Sequence, residues 1–204
     1  MPKENGERVN FVEPDDNPSV YKRIIEAEAE IAKPIFSIGI KYPEGRSGGS
    51  AACDMLAEVL FGECQEFYSE LYESNLVTGI RNYYEYGRTD AHFALSGESA
   101  DPMKVFNMVL DYAKKIRENG LPRDAVEREK RLAYADVLRE FDSSEDVAEG
   151  LFDAFLANEN YLDAADIYHS VTYDEINELA KTVLQEDRFC MSVVYPIGYE
   201  RSAE

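Results

Sequence analysis

The 204-residue chain has no tryptophan, two histidines and three cysteines, and only 21 Lys and Arg stand against 41 Asp and Glu. Each scarcity excludes something. Cys53, Cys64 and Cys190 are odd in number, far apart and without C-x-x-C spacing. No disulfide framework is expected, and a reduced, cytoplasmic setting fits. Neither His92 nor His169 has a second histidine within five residues. A helical H-E-x-x-H or inverted H-x-x-E-H zinc motif needs two on one helical face, so no metal site is expected in this chain. The net charge of -20 repels phosphate backbones and anionic lipid, which argues against nucleic acid and membrane as partners. The opening MPKENGERVNFVEPDD has no apolar stretch of a signal peptide, and no apolar run approaches the roughly 20 residues that span a bilayer.

Motifs of covalent and phosphate chemistry are missing too. The chain has no G-x-S-x-G elbow and no G-x-x-x-x-G-K-[ST] loop. The Gly-rich segment EGRSGGS, Glu44 to Ser50, precedes a helix but lacks the lysine, and it reads as a plain strand-to-helix turn. The two histidines are expected to be structural or surface residues. No catalytic residue is expected.

Hydrophobic residues make up 45% of the chain, enough for a sizeable core. Residues 1 to about 19 read as a linker. From Ile25, IEAEAEIA alternates apolar and acidic residues, the period of a strand with one face buried, although Ala and Glu prefer helices. IFSIGIKY, Ile35 to Tyr42, reads as a buried strand. Helical spacing follows at Met55, Leu56, Val59 and Leu60, and a second short helix carries Phe67, Leu71 and Tyr72. Leu76 to Tyr86 and residues 90 to 97 form a hairpin around Gly87.

Helices follow. Asp101-Pro102 caps the first, and Gly120 ends it. The second runs from about Arg123 to Phe141, with Val126, Ala133, Val137, Leu138 and Phe141 inward. The third starts at Ser143 or Ser144 and buries Val147, Leu151, Ala154 and Phe155, with a short piece near Tyr161 to Tyr168. Thr172 to Glu175 is a capping box for the last. Phe189 to Tyr195 is a closing strand.

Strand, two helices, hairpin, helices and strand make an α+β fold: a two-layer sandwich with a mixed, mostly antiparallel sheet covered by helices. The strands read as apolar or aromatic on both phases, while the helices carry acidic outer faces. A partner surface is therefore expected on the sheet. Tyr83, Tyr84 and Tyr86 are the candidate peptide-binding residues, with core packing as the plainer reading.

Several segments, in order, resemble the C-terminal, non-catalytic domain of pitrilysin/insulinase-type zinc peptidases of the bacterial processing-peptidase kind. They are KPIFSIGIKYPE (Lys33 to Glu44), LFGECQEFYSELYESNLV (Leu60 to Val77), FALSGESADPMKV (Phe93 to Val105), REFDSSEDVAEGLFDAF (Arg139 to Phe155), SVTYDEINELAKTVL (Ser170 to Leu184) and MSVVYP (Met191 to Pro196). The resemblance implies one sheet layered by helices, forming half of a clam-shell around an unfolded peptide. The zinc is then held by an N-terminal catalytic half or a paired subunit. Residues 1–32 would be the connection from that half, 33–198 the domain itself and 199–204 a tail. Many such domains supply an Arg and a Tyr on a pattern like L-R-x-x-x-x-L-x-Y. Here Leu71 or Tyr72 takes the Arg place and Thr78 the Tyr place, so that auxiliary pair is absent. The function this implies is a substrate-enclosing half of a zinc endopeptidase. The alternative is a structural subunit of a heteromeric complex without peptidase activity.

Overall fold

A computed structural model describes residues 17–43, 51–86, 91–157 and 160–199. The expected Gly-rich turn at 44–50, the hairpin turn at 87–89, most of the linker and most of the tail lie outside these residues. In chain order the elements are β1 (Ile24–Ala29), β2 (Ile35–Lys41), α1 (Ala51–Phe61), α2 (Glu66–Glu73), β3 (Val77–Tyr86), β4 (Ala91–Ser99), α3 (Pro102–Asn119), α4 (Arg123–Glu140), α5 (Ser144–Ala157), a 3-10 turn (Tyr161–Asp163), α6 (Ala164–Ser170), α7 (Tyr173–Val183), a second 3-10 turn (Glu186–Arg188) and β5 (Phe189–Pro196).

The five strands form one sheet in the order β1-β5-β2-β4-β3. Only β1 and β5 pair in parallel; the other three pairings are antiparallel. The α+β class, the layering and the mixed sheet are those expected. One phase of each inner strand meets the helices. Phe36, Ile38 and Ile40 of β2, Phe93 and Leu95 of β4, and Phe189, Met191 and Val193 of β5 are buried in a single core with Leu56, Leu60, Phe106, Val109 and Ile176. Large side chains on that phase remove enough apolar surface to hold the layers together, at about 25 cal/mol per Å².

Local signals hold the helices where expected. Asp101 Oδ1 accepts the Lys104 amide at 3.0 Å, and Thr172 Oγ1 accepts the Glu175 amide at 3.2 Å. Gly120 takes a φ of 79°, a left-handed geometry that favours glycine at a helix end. The loop after it is fastened to α7. Asn177 Oδ1 accepts the Leu121 amide at 2.9 Å, the Tyr173 hydroxyl donates to the Leu121 carbonyl at 2.9 Å, and the Arg123 guanidinium lies 3.9 Å from the Tyr173 ring centre.

Three expectations need correction. The IEAEAEIA segment is a strand, but its apolar phase is not buried: β1 is an edge, Ile24 turns toward the core, and Ile25 is exposed. Leu138 and Phe141, read as inward on α4, are exposed. The largest difference is α5, which buries none of its described side chains; Leu151 and Phe155 are exposed. The helix rests on the protein through small side chains. A Cβ added at Gly150 would meet the Tyr161 ring at 2.3 Å, so only glycine permits the contact.

The uncovered face of the sheet is also not apolar throughout. Ile35 and Tyr83 are exposed on it, but between them stand Ser37, Gly39, Lys41, His92, Ser96 and Ser192. Small and polar side chains need no covering layer, so the expectation of two apolar phases fails.

Candidate functional site: the free edge of the sheet

The candidate tyrosines do not form one group. Tyr84 lies on the helix side with its ring centre 4.8 Å from that of Phe93, and burial holds its hydroxyl well above the ordinary tyrosine range. Tyr86 stacks on Tyr84 at 5.8 Å. Tyr83 faces the other way, onto the uncovered face, with its ring centre 6.3 Å from His92. Strand alternation separates the trio: Tyr83 and Tyr86 are both exposed, and only Tyr83 stands on the uncovered face. Two positions before it on the same phase is Arg81, which the sequence reading passed over; the period-2 spacing from Tyr83 was the available signal.

His92 Nε2 lies 3.8 Å from Glu85 Oε2 across the β3–β4 pair. His169 sits on α6 with its ring centre 5.9 Å from that of Tyr134 on α4. The two histidines therefore belong to different layers and share no site. Cys53 is buried in α1, Cys64 is exposed, Cys190 is half-buried in β5, and no disulfide joins them.

Strand β3 pairs only with β4, so its other edge is free among the described residues. An edge strand presents unpaired N–H and C=O groups in a row, a template for an added strand. Beside it a crevice of about 820 Å³ opens between β3, α1 and α4, with Asp54, Glu58, Arg81, Asn82, Tyr83, Glu129 and Asp136 in its walls. Asn82 Nδ2 donates to Glu58 Oε1 at 2.9 Å, which ties the strand to α1. The Tyr168 hydroxyl donates to Asp54 Oδ2 at 3.2 Å. Desolvation raises the Asp54 carboxyl above its ordinary value, and the Tyr168 hydrogen bond opposes that rise.

Glu129 is the most enclosed of the crevice carboxylates, with 9% of its surface exposed. Its pKa is raised from 4.5 to about 7, chiefly by burial and then by the charges of Glu58 and Asp136, with Arg128 opposing. Among the described residues no group of three or more His, Cys, Asp or Glu is arranged to hold a metal ion, so the zinc of the resembled peptidases does not fit these donors. Nor is any helix among them long and apolar enough to cross a membrane.

The sequence profile of the Peptidase M16 inactive domain matches residues 2–133. The chain belongs to that family. Its fold is similar to a structure described as an M16-like peptidase from Alicyclobacillus acidocaldarius, with a TM-score of 0.82, 21% identity and coverage of 90% of this chain and 45% of that one. A protease from Helicobacter pylori gives a TM-score of 0.80 at 13% identity, covering 95% of this chain and 48% of that one. A peptidase M16 inactive domain from Pseudomonas fluorescens gives 0.74 at 15%, with coverage of 97% and 48%. At these identities the likeness establishes the fold. The chain spans about half the length of these structures. No curated protein matches it.

Proposed function

We propose that this M16 inactive domain is the substrate-enclosing, non-catalytic half of a zinc-dependent endopeptidase. Its free sheet edge holds an extended stretch of unfolded peptide. The observation that carries the reading is the unpaired edge of β3 beside the acidic crevice, with Arg81 and Tyr83 on the adjoining open face. A peptide added along β3 gains main-chain hydrogen bonds whatever its sequence, and the crevice carboxylates favour Lys and Arg side chains. In this reading the zinc and its bound water belong to an N-terminal catalytic half or a paired subunit. Residues 1–32 connect to that half, 33–198 enclose substrate, and the setting is cytoplasmic.

A second reading, a structural subunit with no peptidase activity, is favoured by one feature. Leu71 or Tyr72 takes the place of the family's Arg, the first fully buried and the second exposed, and Thr78 stands at the place of its Tyr. Hydrogen exchange with and without a reduced, unfolded Lys-containing peptide tests the first reading. Protection in Val77–Tyr86 is expected, with affinity lowered about tenfold in Arg81→Ala/Tyr83→Ala. Protection confined to the helices spanning 102–157, with none in 76–97, refutes peptide capture by the sheet. Pairing the chain with a half that bears H-x-x-E-H and assaying peptide cleavage separates the two readings.

A further inference from the structure

Helix α5 is amphipathic the wrong way round for a core helix. Its inward positions are small: Val147 and Ala154 are half-buried, and Gly150 lies against the Tyr161 ring. Its outward positions are large. Leu151 is 49% exposed, Phe152 62%, Phe155 78% and Leu156 66%. At about 100° per residue, the pairs Leu151/Phe155 and Phe152/Leu156 form two adjacent rows, one turn apart along each row. Two more apolar residues are exposed near the inner side of the helix. Phe141 is exposed and its ring centre lies 5.2 Å from that of Tyr161, and Leu162 beside it is also exposed. Single exposed apolar residues are ordinary, but a contiguous set of this kind marks an interaction surface.

Charge selects the occupant. Between Arg139 and Lys181 the chain contains no lysine or arginine. The apolar rows are bordered on α5 by Glu145, Glu149 and Asp153, with Asp142 before the helix and Asp163 after it. A second copy of this chain would set two such rims of the same sign against each other, at a cost that grows as the interface dries. An anionic lipid surface is repelled for the same reason. The surface fits a partner that is apolar along its middle and basic along its borders.

We infer that α5, with Phe141 and Leu162, is a docking surface for a basic amphipathic helix of another protein. The partner's apolar stripe lies across Leu151, Phe152, Phe155 and Leu156, and its Lys or Arg side chains meet Glu149 and Asp153. This surface is on the helix layer; the inner side of α5, at Gly150, Asp153 and Ala154, lines a pocket with Tyr86 at the end of β3. It stands whether or not the sheet binds peptide.

The test uses the 204-residue chain and two fluorescein-labelled 14-residue probes, matched to the roughly 21 Å length of α5. Both carry Leu at i, i+3, i+4 and i+7; one has Lys at the remaining positions and the other Glu. The Lys probe is expected to bind at least tenfold more tightly, with affinity falling as salt rises. Hydrogen-exchange protection is expected in 144–157. Phe152→Ser/Phe155→Ser and, separately, Glu149→Gln/Asp153→Asn should each weaken binding at least tenfold. All four positions are exposed, so the variants keep the fold, which circular dichroism verifies. Equal binding of the two probes overturns the inference, as does protection outside α5 or affinity unchanged in the serine variant. Sedimentation showing a dimer that the serine variant dissolves would make the occupant a second copy and overturn it equally. So would binding to zwitterionic vesicles that depends on the same two phenylalanines.

Discussion

Replacing Glu129 by Gln should stabilise the domain above neutral pH and leave it unchanged in mild acid. The carboxyl is 9% exposed, on the α4 wall of the crevice, and its pKa rises from 4.5 to about 7. Burial is the main cause, followed by Glu58 and Asp136. A raised carboxyl pKa means that the folded state binds the proton more tightly than the unfolded chain. Between pH 4.5 and 7 the native state therefore holds more protons, and stability falls as pH rises through that window, then levels off. The whole gap corresponds to roughly 3 kcal/mol at ~1.36 kcal/mol per pH unit. Solvent reaching the open crevice screens part of the ionised form's cost, leaving a gain of about 1–2 kcal/mol for Glu129→Gln at pH 8. Near pH 4.5 both chains are neutral at this position, and their stabilities should agree within about 0.5 kcal/mol. Urea unfolding of both proteins at pH 4.5, 6, 7 and 8 measures this. A difference that is the same at all four values, or a variant less stable at pH 8, refutes the electrostatic account and makes Glu129 a packing residue.

Thr172→Ala removes the acceptor of the Glu175 amide and should cost about 1 kcal/mol, read as a lower urea midpoint with unchanged slope. Gly150→Ala drives a Cβ into the Tyr161 ring and should release α5, with a loss of about 1–3 kcal/mol or faster exchange confined to 144–163. Phe106→Ala, in the centre of the core, should cost about 3–5 kcal/mol by thermal melt. The purified chain should hold no stoichiometric zinc by elemental analysis and hydrolyse no peptide. One tightly held zinc per chain, with activity lost on chelation, would contradict that.

The fold was legible because its strongest signals are local and repeat. Phe36, Ile38 and Ile40 alternate with Ser37, Gly39 and Lys41, and a strand follows directly, although both of its phases read as apolar. Asp101 before Pro102, Thr172 before Glu175 and Gly120 after Asn119 each answer a backbone need at a helix end, so the boundaries fell within a residue or two. Alternation in β1 gave the correct element and the wrong face. Periodicity reports which residues share a side; it does not report what lies opposite. At an edge strand nothing does.

The same limit explains the site. Tyr83, Tyr84 and Tyr86 look like one aromatic group in sequence, yet a period of two sends the middle one to the core and leaves Tyr83 with Arg81 on the far face. Glu129 gives no sign in a helix already dense with charge; its shift arises chiefly from burial and then from Glu58 on α1, both products of packing. In α5 the apolar residues were visible, and the inference that they face inward rests on a rule that holds only when a core is available. Here the core is already filled by α1, α3 and α7, and the space beside α4 admits only the small face of α5 against Tyr161. An apolar row left outside by a filled core is kept in a soluble chain only if something covers it or if its charged rim keeps copies apart. The run from Arg139 to Lys181 without a single Lys or Arg supplies that rim, and the like charge that prevents self-association is what selects a basic partner.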